Sequence, residues 1–347
     1  MRLEDLLGEC RRRLEGLGRY LVAHHWDADG VATAALLLRH LPGRGRPEPV
    51  RIGFYTWQAI PRPASGEALA VVDYGIPGGE YDRLASLVRL EIVLDHHRVP
   101  PPSRFAAYCN PVALGLAGES DYPGASVLAY HVLGSPGDEE SKGLAALGAV
   151  GDLAPYYDSG RSHPGLKVAE RLVEGTRYTL QRLRRTADLV DSAYRVIDHD
   201  CLAQAAMAAS EGGIEALETL PCLLRAYERS TTLLEEAVEK LEGPTLLPGG
   251  VRLYKLEMDA HVTSAVGRRL ASENPDSIIA LLHVIPEMGV ARLYVRSVSK
   301  PLVALREALS STGVRVAGKE SVIVAEAPAA RAGWLAEKLR EAASRLS

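Results

Sequence analysis

The chain lacks most of what marks a secreted, membrane-bound or nucleic-acid-coating protein. Its four cysteines, Cys10, Cys109, Cys201 and Cys222, form no CxxC pair and stand far apart. That spacing argues against a zinc ribbon and against a secreted disulfide framework, so a cytoplasmic location is expected. No apolar run nears the ~20 residues of a membrane span. The opening MRLEDLLGECRRRLEGLGRY reads as a charged amphipathic helix, not a signal peptide. A positive excess is also missing: the formal net charge is −4. A protein that coats nucleic acid is usually basic, so a polyanion would have to be held by a local basic groove or through metal ions. Asn and Gln are scarce (Asn110, Asn274, Gln58, Gln181, Gln204). This is compatible with a thermophilic source, although the dominance of Arg over Lys is not the usual signal of one.

What is present suits an α/β protein of two domains or three, with 347 residues and 47% apolar content. In the first half, the runs RYLVAHH, VRIGFY, EALAVVD and LEIVLDHH read as buried strands. Helical patterns at 31–41, 81–87, 124–133 and 141–153 alternate with them, which predicts a mostly parallel sheet flanked by helices. From about 165 to 241 the strand signal vanishes and helices follow one another. GPTLLPGG (243–250) reads as a breaker cluster and linker. A strand–helix rhythm then returns, predicting a smaller C-terminal α/β domain. The expected boundaries are 1–160 for the first domain, 161–245 for a helical connector and 246–347 for the last domain.

Three apolar runs end in acids or imidazoles. LVAHHWDAD delivers His25, Asp27 and Asp29, LAVVD delivers Asp73, and IVLDHH delivers Asp95, His96 and His97. Functional groups gather beyond the carboxyl ends of strands in an open parallel sheet. A further acid, Asp152 in LGAVGDL, interrupts an apolar helix, where an unpaired carboxylate is costly. Taken singly, each Asp is an ordinary cap and each His an ordinary loop residue. Together at successive strand ends they form a cluster of acids that cannot all stay ionised without cations. Oxygen donors with imidazoles and no thiolate suit two divalent ions, Mn²⁺ first and Mg²⁺ second. Such a pair is the usual device for phosphate-ester hydrolysis.

HWDADG, VVD, LDHH and GAVGDL, in that order, resemble the four motifs of the DHH phosphoesterase superfamily. The DADG form, with Asn110–Pro111 and DYPGASVLAYHVL, is most similar to the RecJ-like branch, particularly its archaeal members. The resemblance covers about the first 155 residues. It implies that His25 and Asp27 bind one metal, that Asp29, His96 and Asp152 bind the other, and that Asp73 bridges them. It further implies that His97 contacts the scissile phosphate while Asp95 orients a neighbouring imidazole. His24 is the rival for His25's place, and the spacing favours His25.

The C-terminal match is looser. YVRS resembles an arginine-bearing strand of the family's associated domain, so Arg296 and Ser297 are candidates to grip phosphate or sugar. VAGKESV stands where a glycine-rich GGH-type loop is expected, with Gly318 retained and Lys319 in place of His. The helical RYTLQRLRR places Arg177, Arg182, Arg184 and Arg185 together. They read as a solvated face, or alternatively as a track for phosphates.

The leading expectation is a RecJ-like exonuclease acting on single-stranded DNA or RNA from an end. A second keeps the chemistry but takes short oligoribonucleotides, cyclic dinucleotides or 3′-phosphonucleotides. A third is a scaffold subunit of a replicative helicase, with replication or repair proteins as partners. Retention of all the expected ligands favours the first two.

Overall fold

In the computed structural model, which describes residues 1–104 and 107–346, the apolar runs RYLVAH, ALAVV and LEIVL become the inner strands of a five-stranded sheet. Its strands are β1 (Arg19–His24), β2 (Arg44–Pro49), β3 (Ala68–Val72), β4 (Leu90–Leu94) and β5 (Tyr108–Cys109), in the order β2-β1-β3-β4-β5. Every pairing is parallel. The inner strands are buried on both faces, as all-parallel sheets require, and their sequences are accordingly continuous rather than alternating.

One expected strand is displaced. VRIGFY forms a turn, not a strand, and the edge strand is the preceding RGRPEP. Arg44 N and Val50 N donate to Gly18 O and His24 O of the β1 side. The nitrogens of Pro47 and Pro49 therefore fall on the outward side of the edge, where proline costs no ladder bond. Beyond it, Phe54 N donates to Arg51 O and Gly53 adopts φ 86°, a turn conformation that ends the extended run.

Helices α1 (Leu3–Glu15), α2 (Ala28–His40), α3 (Gly78–Ala85), α4 (Ala125–Val132), α5 (Glu139–Asp152), α6 (Ala154–Asp158), α7 (Pro164–Val173), α8 (Leu180–Arg195), α9 (His199–Thr219) and α10 (Pro221–Glu239) accompany and follow the strands. The chain divides into one unit of residues 1–154 and 162–228 and another of residues 155–161 and 229–347. Within the first unit α2 is the central helix. Residues 28–37 are buried throughout, against β1, α4, α5, α8 and α9.

The second unit has strands β6 (Glu242–Leu247), β7 (Val251–Glu257), β8 (Ile278–Ile285), β9 (Val290–Arg296), β10 (Val316–Lys319) and β11 (Val322–Pro328). They form one sheet in the order β10-β11-β9-β8-β7-β6, antiparallel except for β7 with β8. Helix α11 (Thr263–Glu273) covers one face through Val266 and Leu270. Helices α12 (Val303–Ser311) and α13 (Ala332–Ser344) cover the other through Leu305, Leu309, Leu335 and Leu339. The segment read as a linker, 243–250, is mostly strand: β6 pairs antiparallel with β7 despite its glycine and its proline, a tolerance that edge strands have.

The cysteines also depart from expectation. Cys10 pairs with Cys109 across 99 residues, and Cys201 with Cys222 across 21. Wide spacing in sequence had argued against bridges. Pairing depends instead on separation in space, and the Cα atoms stand 6.0 and 5.7 Å apart.

Candidate metal centre

The sheet order reverses between β1 and β3, and ligands in this topology bind beyond the carboxyl ends of the strands at such a point. β1 ends at His24, and the chain passes through His25 and Trp26 into α2. Asp27 is the N-cap of that helix, and its Oδ1 accepts from Gly30 N at 3.1 Å. Asp73 follows β3 directly. It adopts φ 53°, a left-handed conformation that Asp tolerates better than most residues, while its N–H still donates to Leu94 O. Asp95, His96 and His97 follow β4, and Asp152 is the last residue of α5.

These positions meet. Ligand-type atoms of His25, Asp27 and Asp73 lie within 4.8 Å of one another, as do those of Asp29, His96 and Asp152, and those of Asp73, His96 and His97. His25 Nδ1 is 2.8 Å from Asp27 Oδ2 and 3.8 Å from Asp73 Oδ2. His96 Nε2 is 3.3 Å from Asp152 Oδ2, 3.5 Å from Asp73 Oδ1 and 3.7 Å from Asp29 Oδ2. His96 Nδ1 donates to Tyr122 O at 3.1 Å, which turns Nε2 toward the three acids. His97 Nδ1 donates to Asp95 Oδ1 at 2.7 Å; Asp95 is fully buried and His97 half-buried. His24, by contrast, is buried in the sheet with its Nδ1 donating to His25 O. Burial lowers its pKa to about 4, a packing role that leaves the cluster to His25.

Without a cation the site is electrostatically uncomfortable. Burial, then the neighbouring Asp29 and Asp27 charges, raise the Asp73 pKa well above the usual carboxylate range. Burial and the nearby Asp152 and Asp27 likewise raise Asp29, against the opposing pull of His96. Burial also presses on Asp27, but the adjacent His25 outweighs it and brings that pKa to about 2. Asp73 Oδ1 is buried with no hydrogen-bond partner. Asp152 sits at the carboxyl end of a helix, where the dipole disfavours an anion. Buried acids, an orphaned oxygen and imidazoles in two triads fit a pair of divalent cations.

Several supporting residues were not singled out by sequence reasoning. Asp29 accepts from Ala125 N and Ser126 N at the start of α4. A Cβ at Gly124 or Gly148 would overlap its carboxylate, so both glycines form its cradle. Asn110, noted only as part of an NP pair, is fully buried. Its Nδ2 donates to His97 O at 2.8 Å and its Oδ1 accepts from Ala113 N, fixing the backbone of the DHH triplet. Asp191 of α8 accepts from Ala28 N at 3.0 Å, the first turn of the helix that bears Asp27 and Asp29. Nothing in ADLVDSAYR distinguishes that acid from a surface residue.

No family model matches the sequence, and no curated protein matches it. Solved structures do match. A DHH-domain protein, described as a member of a family of ribosomal proteins, aligns at 15% identity and TM-score 0.68, covering 99% of this chain and 92% of that one. The exonuclease RecJ bound to manganese aligns at 20% and 0.62, covering 100% and 95%. RecJ from Thermus thermophilus, in complex with Mn²⁺, aligns at 22% and 0.67, covering 99% of this chain and 55% of its own. This is the DHH, RecJ-like fold.

The candidates Arg296, Ser297, Gly318 and Lys319 fall in the second unit. Arg296 ends β9, is 7% exposed and donates to Tyr294 Oη at 3.1 Å, with its Nε buried and unbonded. Ser297 is buried, and its Oγ accepts from Lys300 N at 3.0 Å. Gly318 has φ 131° in the β10–β11 hairpin, where a Cβ would overlap Val322 O, so the fold itself requires glycine there. The side chain of Lys319 lies outside the described residues. Three of the four arginines of RYTLQRLRR, in the first unit, are engaged: Arg177 pairs with Glu140 and Glu215, Arg182 with Glu215 and Glu218, and Arg184 approaches Asp188. Arg177 thus bridges to α5 and α9, and Arg182 to α9. No helix among the described residues is long and apolar enough to cross a membrane.

Proposed function

We propose that this chain is a two-metal phosphodiesterase that shortens single-stranded nucleic acid from one end. The single observation that carries the reading is the meeting of two His/Asp triads, with Asp73 shared between clusters, at the switch point of a DHH sheet. His25, Asp27 and Asp73 would hold one ion, Asp29, His96 and Asp152 the other, and Asp73 would lie between them. Imidazole in each triad favours Mn²⁺ over Mg²⁺.

When bound, the ions would acidify water and offset charge on the phosphate oxygens. The protein's own part is positioning. Asp95 accepts the Nδ1–H of His97, which fixes that tautomer and directs the imidazole's chemistry to Nε2. As an imidazolium, its charge balanced by the Asp95 carboxylate, His97 would then donate from Nε2 to a phosphate oxygen as negative charge builds there. Asn110 holds the His97 carbonyl, and the Asp95 pKa supports this arrangement. Burial would raise it, but His97, joined by His96, outweighs burial and the acid stays below its usual range. Asp95 is thus held as the acceptor that His97 needs.

The test is a Mn²⁺ titration with DNA and RNA strands labelled at the 5′ or the 3′ end, run beside a cyclic dinucleotide and a 3′-phosphonucleotide. The Asp95→Ala/His96→Ala double variant is the blank. The expected result is stepwise shortening from one end, absent in the blank. Turnover of the small nucleotides alone would replace the polymer by a small substrate. Metal uptake with no turnover of anything would refute the enzyme.

A further inference from the structure

Aromatic residues make up only 5% of the chain, with two Phe and three Trp in all. One Phe and two of the Trp, Phe54, Trp26 and Trp57, nevertheless gather beside the metal centre, around Tyr55. The Tyr55 ring lies 6.1 Å from that of His25, 5.3 Å edge-on from Trp26, and 6.0 Å from Tyr74 in parallel orientation. Tyr55 is 39% exposed, whereas Trp26 and Tyr74 are buried.

The loop that carries it is held rigidly. Tyr74, the residue after the candidate bridging ligand, donates from its hydroxyl to Phe54 O and accepts from Thr56 N. Trp57 N donates to Glu80 Oε2. Tyr55 is therefore fixed relative to Asp73 by a one-residue offset. Cations surround the same loop: Arg51 lies 4.3 Å over the Phe54 ring, and Arg62 and Arg83 lie 4.8 and 5.0 Å from the Trp57 ring. A preset aromatic beside a phosphate-handling centre, ringed by guanidinium groups, has the chemistry of a base-stacking platform.

We propose that Tyr55 is a base-recognition residue, stacking on the nucleobase of the nucleotide whose phosphate lies at the metal centre. This deepens the phosphodiesterase reading and rests on it. The occupant is a planar base joined to an anion within the reach of one nucleotide. Neither an apolar peptide nor inorganic phosphate meets both requirements.

The experiment compares kcat/KM for an ordinary single strand with that for a strand whose terminal nucleotide, at the end being cut, is abasic. Wild type should prefer the base-bearing strand about tenfold. Tyr55→Ala should bring that ratio near one, and Tyr55→Trp should restore it, with the change falling in KM rather than kcat. Mn²⁺ uptake by calorimetry shows whether Tyr55→Ala retains the folded centre. If wild type cuts strands but Tyr55→Ala keeps the tenfold preference, the stacking role is refuted and the phosphodiesterase reading stands. If Tyr55→Trp behaves as Tyr55→Ala, the role is also refuted. If wild type cuts neither strand, both readings fall.

Discussion

At the scale of single residues, the centre depends on absent side chains as much as on present ones. Gly148 lies in the middle of α5, where glycine costs about 1 kcal/mol relative to alanine. Its value is the space it leaves, because a methyl group there would strike Asp29 Oδ1 and Ser126 Oγ. Gly151, three residues on, faces only Ala28 and Ala187 side chains at 3.3 and 3.5 Å. Gly148→Ala should therefore displace Asp29, reduce Mn²⁺ binding toward a single ion in calorimetry, and lower stability by about 1–3 kcal/mol. Gly151→Ala should cost less than Gly148→Ala on both counts, since Ala28 need give by only a few tenths of an ångström.

Between elements, α8 acts on α2 through the hydrogen bond from Ala28 N to Asp191. Asp191 is 3% exposed and meets the Ala28 amide, and Arg195, itself buried, lies 3.8 Å away and also binds Asp188 at 2.7 Å. Asp191→Ala strands both the amide and part of the arginine's charge, so urea unfolding should show a loss of about 1–3 kcal/mol. Asp191→Asn keeps an acceptor for Ala28 and should lose less. This bond also shows where sequence reading stops. The strand ends carrying His25, Asp73 and His96 were legible because apolar runs close on polar residues, and their meeting follows from sheet topology. Asp191 was not legible, since a buried acid and a surface acid look alike within an amphipathic helix. VRIGFY misled for a related reason. Its apolar residues pack beside the site as a turn, while the edge strand RGRPEP, exposed on one side, carries no hydrophobic period.

For the whole molecule, two features govern survival under stress. His283 in the second unit is fully buried, with Nε2 donating to Met258 O and Nδ1 accepting from the Thr263 hydroxyl. Burial lowers its pKa to about 4. The unfolded chain binds that proton near pH 6.5 and the folded chain does not. Stability should thus be full above pH 6.5 and decline progressively as pH falls toward 4, by an order of ~3 kcal/mol. Denaturation at stepped pH should show this slope, and His283→Gln should make it shallower, leaving the share that the similarly buried His24 contributes.

The bridges are the second feature. Closing a loop of 99 residues between Cys10 and Cys109 restricts the unfolded chain by an order of ~4 kcal/mol. Dithiothreitol should therefore lower the thermal midpoint. It should also loosen β5, whose next residue, Asn110, grips the His97 backbone. A midpoint unmoved by reductant, with four thiols titrated, would show that the bridges carry little of the fold's stability.

The prolines of β2 have a consequence beyond the fold itself. Pro47 and Pro49, although their side chains are buried, leave no outward N–H donor at their positions on the edge strand of the sheet. A neighbouring molecule laying its own strand there would find carbonyls without matching donors. At high concentration in the cell or the test tube, copies of this protein should resist polymerising edge to edge, and Pro47→Thr with Pro49→Thr should make them more prone to fibril formation.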